Sequence, residues 1–574
     1  MLFAVSLMLA LDRLSLFSSV AWVESFKNFR FWFALYVCSA LLCVAITAAY
    51  INLEDPVYYW DFDAYFKAFS QQGEFLVQEP VQWLRQLRAS IKADDYSVAA
   101  LAPLMPFHIF FGGSRLSYVA AIVVVYLVPT ALFVGRLSYL EAIAETRSSQ
   151  SWLAVLIAAL LYTPFWAATL RGMPDVGGSL ALVAATYFLW KSKFLTREPV
   201  VSGIRVGAYV WLAFMLRRWY AYSAVALAIS AVFFCLLRIA KDRDFAALRN
   251  AVLGGMCALA VIAGAAWIFQ APLILKILGT NYGDLYAGYK TDLLSQLGQV
   301  GARISFANWS LVALGLYFSI VRRNHFALFC AAASALTFFL FTRTQDPDRH
   351  HSIPMFLWLF PAYAQAIVAI VSMPALRSRW SVAAIAVLAG CAFLGTFFPV
   401  GRQALAPISY VFAREATLPL HLDNQPEYRR LIGDLLGRMG PEDRFSVFAS
   451  DLVMNDWMLV GMDGHLSAHI EWTCQVDSRD RFGPRALKSR YAVVTDPPVV
   501  HLQAGAQLCI TIPDQQILAG TGIGAAYRRI GAYRLSGGFN GYLYEQVRPI
   551  SAAEVDALYG EFRKKYPDWA TPDW

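Results

Sequence analysis

Apolar residues along this chain fall into runs of about a membrane's thickness, separated by short polar or basic breaks, and only the C-terminal part loses that pattern. A helix needs about 20 mainly apolar residues to cross a bilayer. Runs of that kind predict helices near 31–51, 116–136, 151–170, 175–190, 203–216, 220–238, 250–270, 306–321, 325–342, 353–373 and 381–400. Two further apolar stretches are read differently. MLFAVSLMLA is cut short by Asp12 and Arg13, so residues 1–30 are expected to form a cytoplasmic interfacial segment. The segment 97–112 holds Pro103 and Pro106 and runs into Gly112 and Gly113, which favours a re-entrant or surface-lying helix over a full crossing.

From about residue 401 the pattern becomes that of a small α/β domain, 401–574. EYRRLIGDLLGRMGPEDRF reads as an amphipathic helix, and RFSVFAS, YAVVTD and LCITI read as strands. YRRIGAYRL and YLYEQV, split by SGGFNG, read as a hairpin.

Composition agrees with the runs. Of 574 residues 58% are hydrophobic and 15% charged, against about 25% charged in a soluble domain. The chain is too apolar to coat itself with water, and a disordered chain is excluded by the same figures. The formal charge of +8 raises the question of nucleic acid, but the placement of the cations answers it. Lys27 and Arg30, Arg136 and Arg147, Lys191 to Arg205, Arg238 to Arg249, Arg322 and Arg323, and Arg377 and Arg379 all fall on one side of eleven alternating crossings. Basic residues near helix ends mark the cytoplasmic side. The N-terminus is therefore expected inside, the tail outside, and no nucleic-acid partner is needed.

The other set of loops, including outer segments 52–115 and 271–305, gathers a different chemistry. EDPVYYWDFDAYFKAF carries Glu54, Asp55, Asp61, Asp63 and Tyr65. Later loops carry Arg171 and Asp175, Arg217 and Arg218, then Tyr286 and Lys290, then Arg343, Arg349, His350 and His351. Ionisable groups wedged between spans usually mark a functional path or site. Arginine grips phosphate through a planar fork of donors, and a carboxylate in a partly dry pocket can take a proton from a hydroxyl. Asp61 and Asp63 would share one side of an extended chain, where they can hold a divalent ion such as Mg2+ or Mn2+. On a helix they would diverge by roughly 200°. Six of the eight cysteines lie in apolar runs and read as small buried hydrophobes. Cys474 and Cys509, the two in the tail, are a disulfide if that side is oxidising and two buried thiols if it is not.

In order and sidedness these features resemble the integral-membrane glycosyltransferases of the GT-C class, which includes the protein O-mannosyltransferases and the lipid A aminoarabinose transferases. Those families place an acidic D-E-x-x-Y motif in the first outer loop, then a juxtamembrane helix ending in glycine, then the second span. Here Asp61-Phe-Asp63-Ala-Tyr65 is followed by PLMPFHIFFGG and a span, LAFMLRRWY stands between two central helices, and DRHHSIPMF precedes a late span. The departure is that the acidic pair is Asp-x-Asp, where the family often has adjacent residues. The resemblance implies an inverting glycosyltransferase of a bacterial inner membrane, with the membrane module at 31–400. It would move a sugar from a polyprenyl-phosphate donor to a glycan, lipid or protein acceptor on the outer face. Asp61 or Asp63 would be the base. Tyr65, Arg171, Arg217, Arg218, Tyr286, Lys290, Arg343, Arg349 and His350 would bind substrate or phosphate. The alternative is a transporter or flippase of an anionic lipid-linked substrate, which needs charged residues reachable from both faces.

Overall fold

The computed structural model describes residues 22–143, 148–373 and 379–574. The interfacial segment expected at 1–30 lies outside the described residues as far as 21; from Trp22 the chain already belongs to one helix, Trp22–Ile51. Arg147 and Arg377 also lie outside the described residues.

Among the described residues, eight helices are long and apolar enough to cross a membrane: Arg30–Ile51, Arg115–Glu141, Ser149–Leu170, Pro199–Leu216, Tyr220–Asp242, Phe245–Gly279, Arg349–Ser372 and Arg379–Phe397. A bent pair, Leu293–Ala302 with Phe306–Val321, supplies a ninth, and the shorter apolar helices Val176–Lys191 and His325–Phe341 occupy the remaining two expected positions. The protein is a polytopic helical membrane protein with a C-terminal α/β domain. Helices dominate because lipid offers no partner for backbone groups, so each span must satisfy its own.

Burial differs sharply among these helices. Residues of Arg115–Glu141 and Arg349–Ser372 are enclosed by their neighbours, whereas Phe245–Gly279 is apolar on nearly all sides and presents most of its surface outward. That outer helix is held by close backbone approach. Gly203 and Gly207, one turn apart on Pro199–Leu216, face the carbonyls of Gly254 and Ala258, and a Cβ at either glycine would sit 2.2–2.5 Å from those oxygens. Small residues at this spacing let membrane helices approach and gain dispersion contacts. The helix runs past the expected 250–270 and kinks at Gln270, two residues before Pro272, whose ring and missing N–H break the ladder. The segment 97–112 forms 3-10 turns and a seven-residue helix, Met105–Phe111, and does not cross.

In the tail, four strands form one sheet in the order β1-β2-β4-β3. They are β1 (Phe445–Phe448), β2 (Tyr491–Asp496), β3 (Tyr527–Arg534) and β4 (Asn540–Gln546). β1 and β2 run parallel with Val447 opposite Val493, and β4 lies antiparallel to both β2 and β3. Side chains alternate between two buried faces. Val447, Val493 and Leu543 join the core that continues into the membrane helices, while Phe448, Val494 and Tyr544 pack with Cys509, Val555 and Phe562. The expected hairpin is present, but LCITI is not a strand. It opens the helix Leu508–Ala519, because Asp477, thirty residues upstream, accepts the Leu508 and Cys509 amides and caps it. Cys474 and Cys509 form a disulfide.

One carboxyl on that helix makes the tail sensitive to pH. Asp514 is buried, accepts a single N–H from Thr495 at 2.8 Å, and its second oxygen meets no partner among the described residues. Burial pushes its carboxyl up to about 8 against that one hydrogen bond. The folded state thus holds a proton that the unfolded chain releases near pH 4 (about 3.9 for a free aspartate). Stability is full below about pH 4 and is lost as the pH rises through about 8. Asp514→Asn is expected to raise the tail's unfolding temperature at about pH 8.5, by the equivalent of about 1–3 kcal/mol, and to change little near pH 4. Thermal unfolding at both pH values checks this, and equal shifts would remove the carboxyl as the cause.

Candidate functional site

The loops that join the spans at one end meet the tail around a large cavity of about 1040 Å3, at the upper end of ligand-pocket sizes. The helices starting at Val176 and Tyr220 both begin at this cavity, next to Asp175 and Trp219, and carry Lys191 and Arg238 near their far ends. Lys191 and Arg238 therefore stand away from it. Six arginines (171, 217, 218, 303, 349, 479) and four aspartates (61, 95, 346, 348) line the cavity. The lining thus has a net positive balance suited to an anionic head.

Asp61 sits in the first turn of the helix Trp60–Gln78. Trp60, just before it, adopts a left-handed backbone (φ 52°), unusual for so bulky a residue, and its ring packs against His501 of the tail at 4.5 Å. Asp61 is half-buried in the cavity wall, and its carboxylate makes no hydrogen bond or ion pair among the described residues. Its charge is felt by Arg217, Tyr96 and Tyr289. Asp63 faces elsewhere. Because these residues are helical, two positions turn the side chain by roughly 200°; Asp63 is buried and pairs with Lys67 at 2.6 Å. Burial pushes its carboxyl up, with Lys67 pulling the other way. The expectation of a shared Asp61–Asp63 metal site is corrected accordingly: the two carboxylates do not converge, and these residues do not fit a bridging Mg2+ or Mn2+. Among the described residues Cys474, Asp477 and Cys509 do cluster, but the sulfurs are bonded to each other and Asp477 accepts two amides and the Tyr566 hydroxyl.

Arg217 is 4% exposed and its Nε lies 2.8 Å from Asp175 Oδ1, an oxygen that also accepts Trp219 Nε1 at 3.2 Å. Tyr65 does not line the cavity; its ring lies under the Arg217 guanidinium at 5.0 Å and helps to hold it. The two terminal nitrogens of Arg217 donate to no described residue. Arg218 donates to the hydroxyls of Tyr282 (2.6 Å) and Tyr286 (3.1 Å) and pairs with Asp95. Arg349 and Arg303 share Glu415, at 2.7 and 3.0 Å. His350 lies 3.3 Å from Asp348. Arg171 does not pair with Asp175: one terminal nitrogen donates to the Leu418 carbonyl at 2.7 Å and the other lies 3.8 Å from the enclosed Glu54. Burial pushes the Glu54 carboxyl up, against the pull of Arg115 and Arg171.

Besides Asp63 and Tyr65, two more expected residues stand outside the cavity. Lys290 and Arg343 are exposed at its rim, and the Lys290 ammonium donates to the Arg343 carbonyl at 3.1 Å. The adjacent Asp346 instead works inward, accepting from Thr291, Gln296 and Gln299 and so tying the bent pair to this loop.

Other lining residues had no sequence signal. Asp95 and Tyr96 end an amphipathic stretch with nothing to single them out. Residues 416–422, without regular secondary structure, run along the cavity wall, held by Glu415 just before them, by the Leu418 carbonyl and by an Asp55–His421 contact at 2.8 Å. Gln475, Arg479, His501 and Gln503 arrive from the tail. Only the outer-loop position of Arg303 was a usable hint.

No protein-family model matches the sequence, and the comparison with curated proteins finds no relative. Among solved structures, the chain is similar to the crystal structure of ArnT from Cupriavidus metallidurans bound to undecaprenyl phosphate, at 13% identity and a TM-score of 0.49, over 91% of this chain and 99% of that one. The apo structure of the same protein gives 13% identity and a TM-score of 0.49, over 92% and 98%.

Proposed function

We propose that this protein is a GT-C-like, inverting glycosyltransferase of a bacterial inner membrane. It takes a sugar from a polyprenyl-phosphate donor and passes it to a hydroxyl of a glycan, lipid or protein acceptor at the outer face. The N-terminus lies in the cytoplasm, and the tail, residues 401–574, lies in the periplasm and walls the acceptor side. The observation that carries this reading is the pairing of an uncommitted carboxylate, Asp61, with an uncommitted guanidinium fork, Arg217, in one partly dry cavity.

In the proposed reaction Asp61 accepts the proton of the acceptor hydroxyl. That oxygen bonds to the anomeric carbon on the face opposite the phosphate, as the carbon–oxygen bond to phosphate breaks and its electron pair leaves with the phosphate. A single displacement with one carboxylate as base and none as nucleophile inverts the anomeric centre. Arg217, Arg218 and Arg349 stabilise the departing charge, an effect that is strongest where water is excluded. Arg171 and His350 shape the same wall. The test is transfer of a radiolabelled sugar from a polyprenyl-phosphate donor in reconstituted vesicles, with the product's anomeric configuration read by NMR. Retention of configuration would exclude the single displacement.

A further inference from the structure

Arg218 and Lys276 are two cations at the cavity rim that share one counter-ion. Asp95 Oδ1 lies 3.1 Å from Arg218 Nη1, and Asp95 Oδ2 lies 2.6 Å from Lys276 Nζ. Tyr282 and Tyr286 accept from two further N–H groups of Arg218. Lys276 is on the outward-facing helix Phe245–Gly279, past its kink; Leu275 and Leu278 beside it are exposed apolar residues, while Ile277 lines the cavity. The cluster thus spans the boundary between the apolar outer surface and the cavity, and an amphiphile with an anionic head crossing there meets these two cations.

We propose that Asp95 is a placeholder for the phosphate of the lipid substrate: the lipid phosphate and the Asp95 carboxylate compete for Arg218 and Lys276. This rests on the glycosyltransferase reading for the identity of the lipid, a polyprenyl monophosphate. Without a carboxylate, two cations at the edge of a low-dielectric region would stand unpaired, which is costly. With it, both cations have a partner while the cavity is empty, and an incoming phosphate must break the Asp95 contacts before it gains the cations. Binding is weakened by that amount, and release of the lipid phosphate left after transfer is favoured because Asp95 returns to its partners. Asp95 is a positioning residue in this scheme: it holds two phosphate ligands and touches no reacting atom.

The experiment measures binding of farnesyl monophosphate, in zwitterionic vesicles, to the full-length reconstituted protein. Asp95→Asn is expected to bind about 5–10-fold more tightly than the unaltered protein at low salt, a gain that shrinks as ionic strength rises. Asp95→Ala is expected to act in the same direction, so that the test survives if either variant folds poorly. Lys276→Gln should weaken binding. Farnesol, which lacks the phosphate, should be indifferent to Asp95, and inorganic phosphate should bind far more weakly than the lipid. Asp284→Asn removes an exposed acid from the neighbouring loop and separates competition from a general change of field. Equal tightening by Asp95→Asn and Asp284→Asn, or no tightening by either Asp95 variant, overturns the proposal while leaving the glycosyltransferase reading intact. Absence of farnesyl monophosphate binding to the unaltered protein removes both.

Discussion

Asp61→Asn is expected to lower sugar transfer by about 10²–10⁴-fold, the usual contribution of a positioned base, with no loss of thermal stability. The amide keeps the shape of the side chain but cannot accept the acceptor's proton. Since the Asp61 carboxylate makes no hydrogen bond or ion pair among the described residues, its removal breaks no contact that the fold relies on. Asp63→Asn is the matched comparison, and the opposite balance is expected. Its carboxylate is 3% exposed and bound to Lys67, so the substitution should disturb the helix Trp60–Gln78 and leave turnover within about an order of magnitude, because no reacting group is removed. Turnover with a polyprenyl-phosphate sugar, measured beside thermal unfolding of each variant, separates the two. If Asp63→Asn silences transfer and Asp61→Asn does not, the assignment of the base is reversed.

Arg217 should show the second large effect, on folding and function together. Arg217→Gln removes one member of a pair in which Asp175 is wholly enclosed. Breaking such a pair by deleting one partner costs about 3–5 kcal/mol, since a buried charge is left without compensation. The double variant Arg217→Gln with Asp175→Asn should recover most of that stability, because both charges are gone, yet it should recover no transfer. Arg217→Lys should fold nearly as well as the unaltered protein but raise the KM for the lipid donor, since an ammonium lacks the planar fork that grips phosphate. Thermal unfolding with a double-mutant cycle gives the first quantity and donor kinetics the second. Full transfer by the double variant would remove Arg217 from the chemistry and leave it a structural role only.

The helical layout was legible because the bilayer imposes a rule that acts on each segment alone. A stretch such as 353–373 must be apolar and must bond its own backbone whatever its neighbours do, and the structure has Arg349–Ser372 there. The convergence of Asp61, Arg171, Arg217, Arg218, Arg349 and His350 on one cavity was legible for a related reason: ionised groups avoid the bilayer interior and collect at its ends. The direction of a side chain is another matter. Asp-x-Asp has opposite meanings in an extended loop and in a helix, and the local pattern did not reveal that the helix begins at Trp60. LCITI has strand propensity, but a distant carboxylate, Asp477, caps it as a helix; tertiary context overrides β propensity readily.

The sequence by itself determined that this is a membrane protein, roughly where its helices lie, and which ends of them carry acid and arginine, because hydropathy and charge placement act along the chain over a few turns. Only the tertiary structure decided which aspartate faces the cavity, that Arg217 rests on Asp175 while Arg171 reaches the Leu418 carbonyl, and that His501 and Arg479 of the tail complete the wall. Those choices are made by contacts between residues up to hundreds of positions apart, and their energies depend on burial and hydrogen-bond geometry that no local stretch of sequence encodes.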